Sequence, residues 1–165
     1  MDARYPIGKF DKLAAPDRED SIAAIESLPS DLKAAVSALP LGGLDKPYRE
    51  GGWTGRQVVH HLADSHMNCQ LRFRFALTED KPTIKPYDEG AWAKLVDAET
   101  GDIAASMTMI EGMHGRWTKL LRSMTEEQWQ RTLLHPETGE WDLERLLGFY
   151  AWHGRHHVAH LGLIR

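Results

Sequence analysis

The sequence predicts an all-α fold, a four-helix bundle with long loops. Apolar residues recur at three- and four-residue spacing over four long stretches, helix-start signals head three of them, and Pro and Gly mark the breaks. At 165 residues, with 42% hydrophobic and 27% charged residues, the chain carries enough apolar material for one core without disulfides. No internal repeat or linker divides it, so residues 1–165 read as a single domain.

Residues 1–15 read as an extended arm punctuated by Pro6 and Gly8, with Pro16 just beyond. A helix then runs from about Asp17 to Leu39, with Ile22, Ile25, Leu32, Val36 and Leu39 as its apolar stripe. Pro29 falls inside it and is expected to kink or divide it. Pro40 and Gly42-Gly43 end this helix, and Gly51-Gly52 marks a second turn. Thr54-Gly55-Arg56-Gln57 matches a capping box, in which a Thr hydroxyl and a Gln side chain satisfy orphan N–H groups; it opens a helix over 55–78. Pro82 and Pro86 force an irregular segment, with one short turn around residues 88–95. The stretch from Pro82 to Trp92 reads equally as a lid over a site or as an ordinary crossover. Asp102 is the expected cap of a third long helix, ending near Met124, with Met109, Met113, Trp117 and Leu120 on one side. Thr125-Glu126-Glu127-Gln128 is another capping box, His135 to Glu140 reads as a loop or small hairpin, and Asp142 caps the last helix.

Composition excludes several functions. Lys plus Arg is 20 against 24 for Asp plus Glu, a net charge of −4, which leaves no electrostatic footprint for nucleic acid or an anionic membrane. No apolar stretch is long enough to span a bilayer, and the N-terminal residues show no secretory h-region. A single cysteine, Cys69, forbids an internal disulfide and fits a reducing cytoplasm; it reads as a small packed residue rather than a nucleophile.

Nine histidines in so short a chain are the distinctive feature. One cluster, His60-His61 with His66, falls on the second long helix; the other, His153, His156, His157 and His160, falls on the last. Residues four apart share a helical face, so His153/His157 and His156/His160 can each grip one cation. His153 and His157 share an arc with Leu146, Tyr150, Leu161 and Ile164, the expected bundle-facing side, and are the favoured pair. A third ligand must come from the other cluster. His61 fits best, because it lies on a polar row with Gln57, Asp64, Ser65, Asn68 and Arg72, whereas His66 projects among apolar residues as a hydrogen-bonded core histidine. Three imidazoles with remaining positions open form a catalytic rather than a structural arrangement. Imidazole suits Zn²⁺, Ni²⁺, Co²⁺, Cu²⁺ or Fe²⁺, and geometry alone does not choose among them; Zn²⁺ or Ni²⁺ is the expected ion. Asp64 reads either as a carboxylate supporting His61 or as a solvated helix charge.

Longer blocks carry a resemblance. Tyr5-Pro6-Ile7-Gly8, Gly51-Gly52-Trp53-Thr54, Gln57 through Asn68, Arg72-Phe73, Ile84 through Glu89, His114 through Trp117 and Trp152 through His160 resemble the YfiT branch of the DinB superfamily. The resemblance implies a four-helix bundle, commonly a homodimer, with one divalent metal on three histidines. Those ligands fall on His61, His153 and His157. It also implies S-transfer from a low-molecular-weight thiol such as bacillithiol or mycothiol, although members of this branch are often labelled metal-dependent hydrolases.

Three functions follow as expectations. In the first, a thiol loses its proton at the open metal position and attacks an electrophile, with Trp53, Gln57, Asn68 and Arg72 positioning the thiol's polar and anionic groups. In the second, water is activated for hydrolysis, with Asp64 or His156 as general base. No His-Glu-x-x-His sequence occurs, which removes zincin-type proteases as models. In the third, the protein binds metal or ligand without turnover.

Overall fold

The computed structural model describes residues 2–11 and 14–165; Met1, Lys12 and Leu13 of the predicted arm lie outside the described residues. Four long helices carry the fold: α1 (Arg18–Ser37), α2 (Gly55–Thr78), α5 (Ala104–Ser123) and α7 (Leu143–Leu161). Between them come a 3₁₀ turn (Gly43–Asp45), three short helices, α3 (Glu89–Trp92), α4 (Val96–Thr100) and α6 (Glu126–Trp129), and an antiparallel hairpin of β1 (Thr132–His135) with β2 (Gly139–Asp142). The hairpin pairs Leu133 with Trp141, which turns both apolar side chains onto the end of the bundle.

Local chemistry sets the helix starts. Thr54 and Gln57 form the reciprocal capping box at the head of α2, and Thr125 and Gln128 do the same for α6. Asp17 and Asp142 cap α1 and α7 by accepting from the amides of Asp20 and Arg145. Asp102 accepts from the Ala104 amide at 2.9 Å, so the third long helix starts at Ala104, with Ile103 rather than Asp102 in the cap position. α1 runs undivided through Pro29, so the expected division of this helix does not occur. The inward face of α5 is also rotated from the expected one. Ile110, His114, Trp117, Thr118 and Leu121 are buried, whereas Met109 is exposed. Two polar residues on that face, His114 and Thr118, hide it from a purely apolar reading.

α1 packs against α5 and α7, and α2 packs against the same two helices, so α1 and α2 occupy opposite corners. Pro16 lies against Gly148 and Leu28 against Gly154, so α1 and α7 run in the same direction. His61 meets His153 while Arg72 meets Tyr150, so α2 and α7 are antiparallel. His60 meets Ser106 and His66 meets His114, so α2 and α5 are parallel. The order is therefore up, down, down, up. Parallel neighbours require a connection that returns along the bundle, and α2, with 24 residues, is about 36 Å long. Residues 79–103 make that return, and α4 packs on α2 along the way.

Glycines permit the close approach of α7 to its neighbours. A Cβ on Gly148 would lie 2.5 Å from Pro16 Cβ, and one on Gly154 would lie 3.0 Å from Leu28 Cδ2 and 3.6 Å from His66 Cε1. Gly154 is a poor helix former in mid-helix by sequence, and this contact accounts for it.

An exposed helical glycine and a packed one should respond oppositely to the same substitution. Gly115→Ala on α5, where an added Cβ meets nothing, is expected to raise stability by up to about 1 kcal/mol. Gly148→Ala should lower it by about 1–3 kcal/mol, because the rigid Pro16 ring occupies the space. Urea unfolding measures both, and a stabilised Gly148→Ala would contradict this packing.

Candidate metal centre

Antiparallel α2 and α7 bring the first half of one helix beside the second half of the other. His61, His153 and His157 meet there, each offering one nitrogen within 4.8 Å of the other two, and all three are buried. His61 Nε2 and His153 Nε2 stand 3.1 Å apart. Two imidazoles on one tetrahedral ion, with metal–nitrogen bonds of about 2.0–2.1 Å, would hold their nitrogens roughly 3.3 Å apart, so the pair fits a shared cation. His157 Nδ1 lies 3.2 Å from His160 Nδ1, which leaves Nε2 of His157 for the cation.

Burial sets the charge of these rings. It lowers the His61 pKa to about 4, with His156 and His160 adding a smaller electrostatic effect, and pushes His153 and His157 well below the ordinary value. All three ligands are therefore neutral at pH 7, the form that binds metal. Burial likewise holds the Cys69 thiol well above its ordinary value, so this fully buried cysteine is an inert packing residue.

A cleft of about 890 Å³ opens onto the histidines. Trp53 forms one wall, its ring 4.6 Å from that of His61 and stacked 6.2 Å from that of His157. Tyr48 stacks on His160 at 3.9 Å. Arg72 donates to the Tyr150 hydroxyl at 3.0 Å, and Ser65 stands beside both the Tyr150 and Tyr87 phenols. Tyr5 of the N-terminal arm and residues 86–89 of the crossover complete the rim, with Asp88 and Glu89 among them. The arm is tied down by Trp152 Nε1 donating to the Gly8 carbonyl at 3.2 Å and by Phe10 packed edge-on to Phe149.

The sequence-derived residues divide between cleft and scaffold. His61, His153, His156, His157, Trp53 and Arg72 line the cleft. His156 Nδ1 is buried without a hydrogen-bond partner, and its pKa is lowered to about 4, first by burial. Gln57 completes the α2 cap and donates to the Ala93 carbonyl at 2.7 Å, which anchors the crossover. Asn68 donates to the Asp64 carbonyl one turn earlier, and the Asp64 carboxyl, raised by burial and then by Asp97, is not part of the cleft wall. The sequence reading gave no site role to Arg4, Tyr48, Arg49, Tyr87 or Tyr150, all of which line the cleft. All but Tyr150 sit in loops or the arm, where periodicity carries no signal.

The model of the DinB superfamily matches residues 24–161. "Putative metal-dependent hydrolase YfiT" of Bacillus subtilis (strain 168) is 48% identical over 161 residues, covering 95% of this chain and 90% of that protein. A "Putative metal-dependent hydrolase" of Bacillus cereus (strain 03BB102) is 50% identical over 168 residues, covering 99% and 96%. The solved structure of Bacillus subtilis YfiT, described as having an unusual four-helix bundle topology, superposes with a TM-score of 0.93 over 98% of this chain and 95% of that one, at 46% identity. A mycothiol-dependent maleylpyruvate isomerase shares the fold at a TM-score of 0.70 and 17% identity, over 88% of this chain and 61% of that one.

Two outcomes follow from this geometry. Elemental analysis of chelator-free protein should find one divalent ion per chain, lost in His61→Ala and in His153→Ala; a full equivalent in either variant would contradict the site. The metal-free protein should lose stability as pH falls from 6.5 towards 4. His61 and His156 stay neutral in the fold down to about 4 but charge from 6.5 in the unfolded chain, so unfolding takes up protons across that window. Urea midpoints flat over that range would contradict the burial of neutral imidazoles.

Proposed function

Because this chain belongs to the DinB superfamily, we propose that it is a metal-dependent enzyme that transfers a low-molecular-weight thiol to an electrophilic substrate. The observation that carries the reading is the cleft itself. Its volume is far larger than a water nucleophile needs, and Arg4, Arg49 and Arg72 line it from three separate segments, with Arg4 already ion-paired to Asp2. A divalent cation on His61, His153 and His157 would favour the deprotonated form of a thiol that reaches it.

The chain's own groups supply the rest. Arg49 donates to the Glu50 carbonyl and Arg72 to the Tyr150 hydroxyl, and the donors each guanidinium has left suit the carboxylates of an anionic co-substrate. His156 lines the cleft beside His157 with a neutral ring, so it adds no positive charge to compete with a cation there. Trp53 closes the cleft beside His61 and keeps bulk water from that side. A smaller chamber of about 180 Å³ adjoins Arg72 and Tyr150, walled by Leu133, Trp141, Leu146 and Phe149, and accepts the apolar part of the electrophile. The fold neighbour whose name specifies mycothiol makes a cellular thiol the first co-substrate to try.

Hydrolysis is the second reading, favoured by the names of the closely similar relatives. Thiol dependence separates the two. Zinc- or nickel-loaded protein should form adducts between bacillithiol or mycothiol and a chlorinated or epoxide electrophile. It should leave chromogenic esters intact when thiol is absent. Ester turnover in water alone, with no adduct from any thiol, would replace transfer by hydrolysis. Arg72→Leu and Arg49→Leu should each raise the thiol KM by roughly tenfold or more with kcat little changed, as loss of a charge-assisted hydrogen bond predicts.

A further inference from the structure

Pro29 sits in the middle of α1 and has no N–H to give to the carbonyl four residues earlier, that of Ile25. That carbonyl is not left idle. His114 Nδ1, reaching across from α5, lies 2.6 Å from Ile25 O. His114 Nε2 lies 3.0 Å from His66 Nδ1, and His66 Nε2 lies 3.3 Å from His153 Nδ1. The series ends at His153 Nε2, the atom that faces His61.

The two ends of this series have different freedoms. A carbonyl oxygen only accepts, so His114 carries its proton on Nδ1. A neutral imidazole has one N–H, so His114 Nε2 is an acceptor and His66 must donate to it from Nδ1. His66 Nε2 is then an acceptor in turn, and His153 donates to it from Nδ1. His153 Nε2 is left with a bare lone pair. The rings face only one another and a backbone carbonyl along this series, with no carboxylate among the partners, so buried neutral imidazoles are the forms that fit it. With every ring at most 7% exposed, water does not compete for these contacts.

We propose that Pro29, Ile25, His114 and His66 form a tautomer relay, which fixes His153 as its Nδ1–H form and presents its Nε2 lone pair to the cation. Pro29 frees the terminal acceptor, and His114 and His66 are positioning residues that act through His153. The opposite tautomer of His153 would aim an N–H at the cation and leave two lone pairs opposed between His66 and His153. The relay deepens the metal-centre reading, since it assumes that His153 is a ligand. Its own geometry is legible without metal.

Imidazole tautomers can be read directly by two-bond ¹H–¹⁵N correlation on metal-free, ¹⁵N-histidine-labelled protein near pH 7.5. The expected result is a single Nδ1–H form for His114, His66 and His153. An Nε2–H form, or averaging between forms, at His66 or His153 overturns the relay whether or not metal binds. Its consequence is tested by zinc affinity against a chromophoric chelator. His114→Phe removes both donor and acceptor, and should release His153 from one tautomer and weaken zinc ten- to a hundredfold. His114→Gln offers an amide N–H to Ile25 and a carbonyl to His66, and should recover affinity to within about threefold of the starting protein. A folded His114→Phe with unchanged tautomer and unchanged affinity contradicts the proposal. If His114→Phe fails to fold, the wild-type spectrum still decides. Absence of zinc binding together with the predicted spectrum would refute the metal reading and leave the relay standing.

Discussion

The burial of neutral imidazoles is the constraint on which this structure depends. Eight of the nine histidines are buried, and only His135 is not. A buried imidazole brings one donor and one acceptor that must both be met, or the fold bears the cost of an unpaired polar group. The bundle answers with two linked arrangements. On the cleft side, His61, His153 and His157 turn acceptors towards one point, and a cation there satisfies all three. On the core side, His66 and His114 pass the remaining donor of His153 to a backbone carbonyl. The metal centre and the core are parts of one hydrogen-bonded system.

Topology determines what else reaches the site. Because α2 and α5 are parallel neighbours, the chain must return along the bundle, and residues 86–89 of that return form part of the cleft rim. The antiparallel pairing of α2 with α7 places both histidine clusters at the same end. Close helix approach at Gly148 and Gly154 lets α7 sit deep enough for His153 to touch His66. Loops and the N-terminal arm then add Arg4, Tyr5, Tyr48, Arg49 and Tyr87 together with Asp88 and Glu89, so the walls are polar and carry both signs of charge where the floor is imidazole.

Much of this was legible in the sequence, for identifiable reasons. The boundaries of α2 follow from its capping box and the Pro-rich segment beyond it, and they coincide with the expected 55–78. Four-residue histidine spacing on a capped helix, joined by His61 on a polar row, pointed to the three rings that converge. What escaped had a physical cause in each case. The inward face of α5 was misplaced by one position because His114, a core residue, scores as polar. Pro29 reads as a kink or a division because local rules register a lost hydrogen bond and cannot see a side chain from another helix meeting the freed carbonyl. Arg49 and Tyr87 lie in irregular segments, whose approach to the cleft is set by tertiary packing alone.

X-ray absorption of the zinc-loaded protein tests the central claim most directly. Three imidazole nitrogens at about 2.0–2.1 Å, with a sulfur at about 2.3 Å appearing when a co-substrate thiol is added, is the predicted spectrum. Fewer than three imidazoles, or a coordination shell unchanged by thiol at saturating concentration, would contradict an open three-histidine centre that takes a thiol.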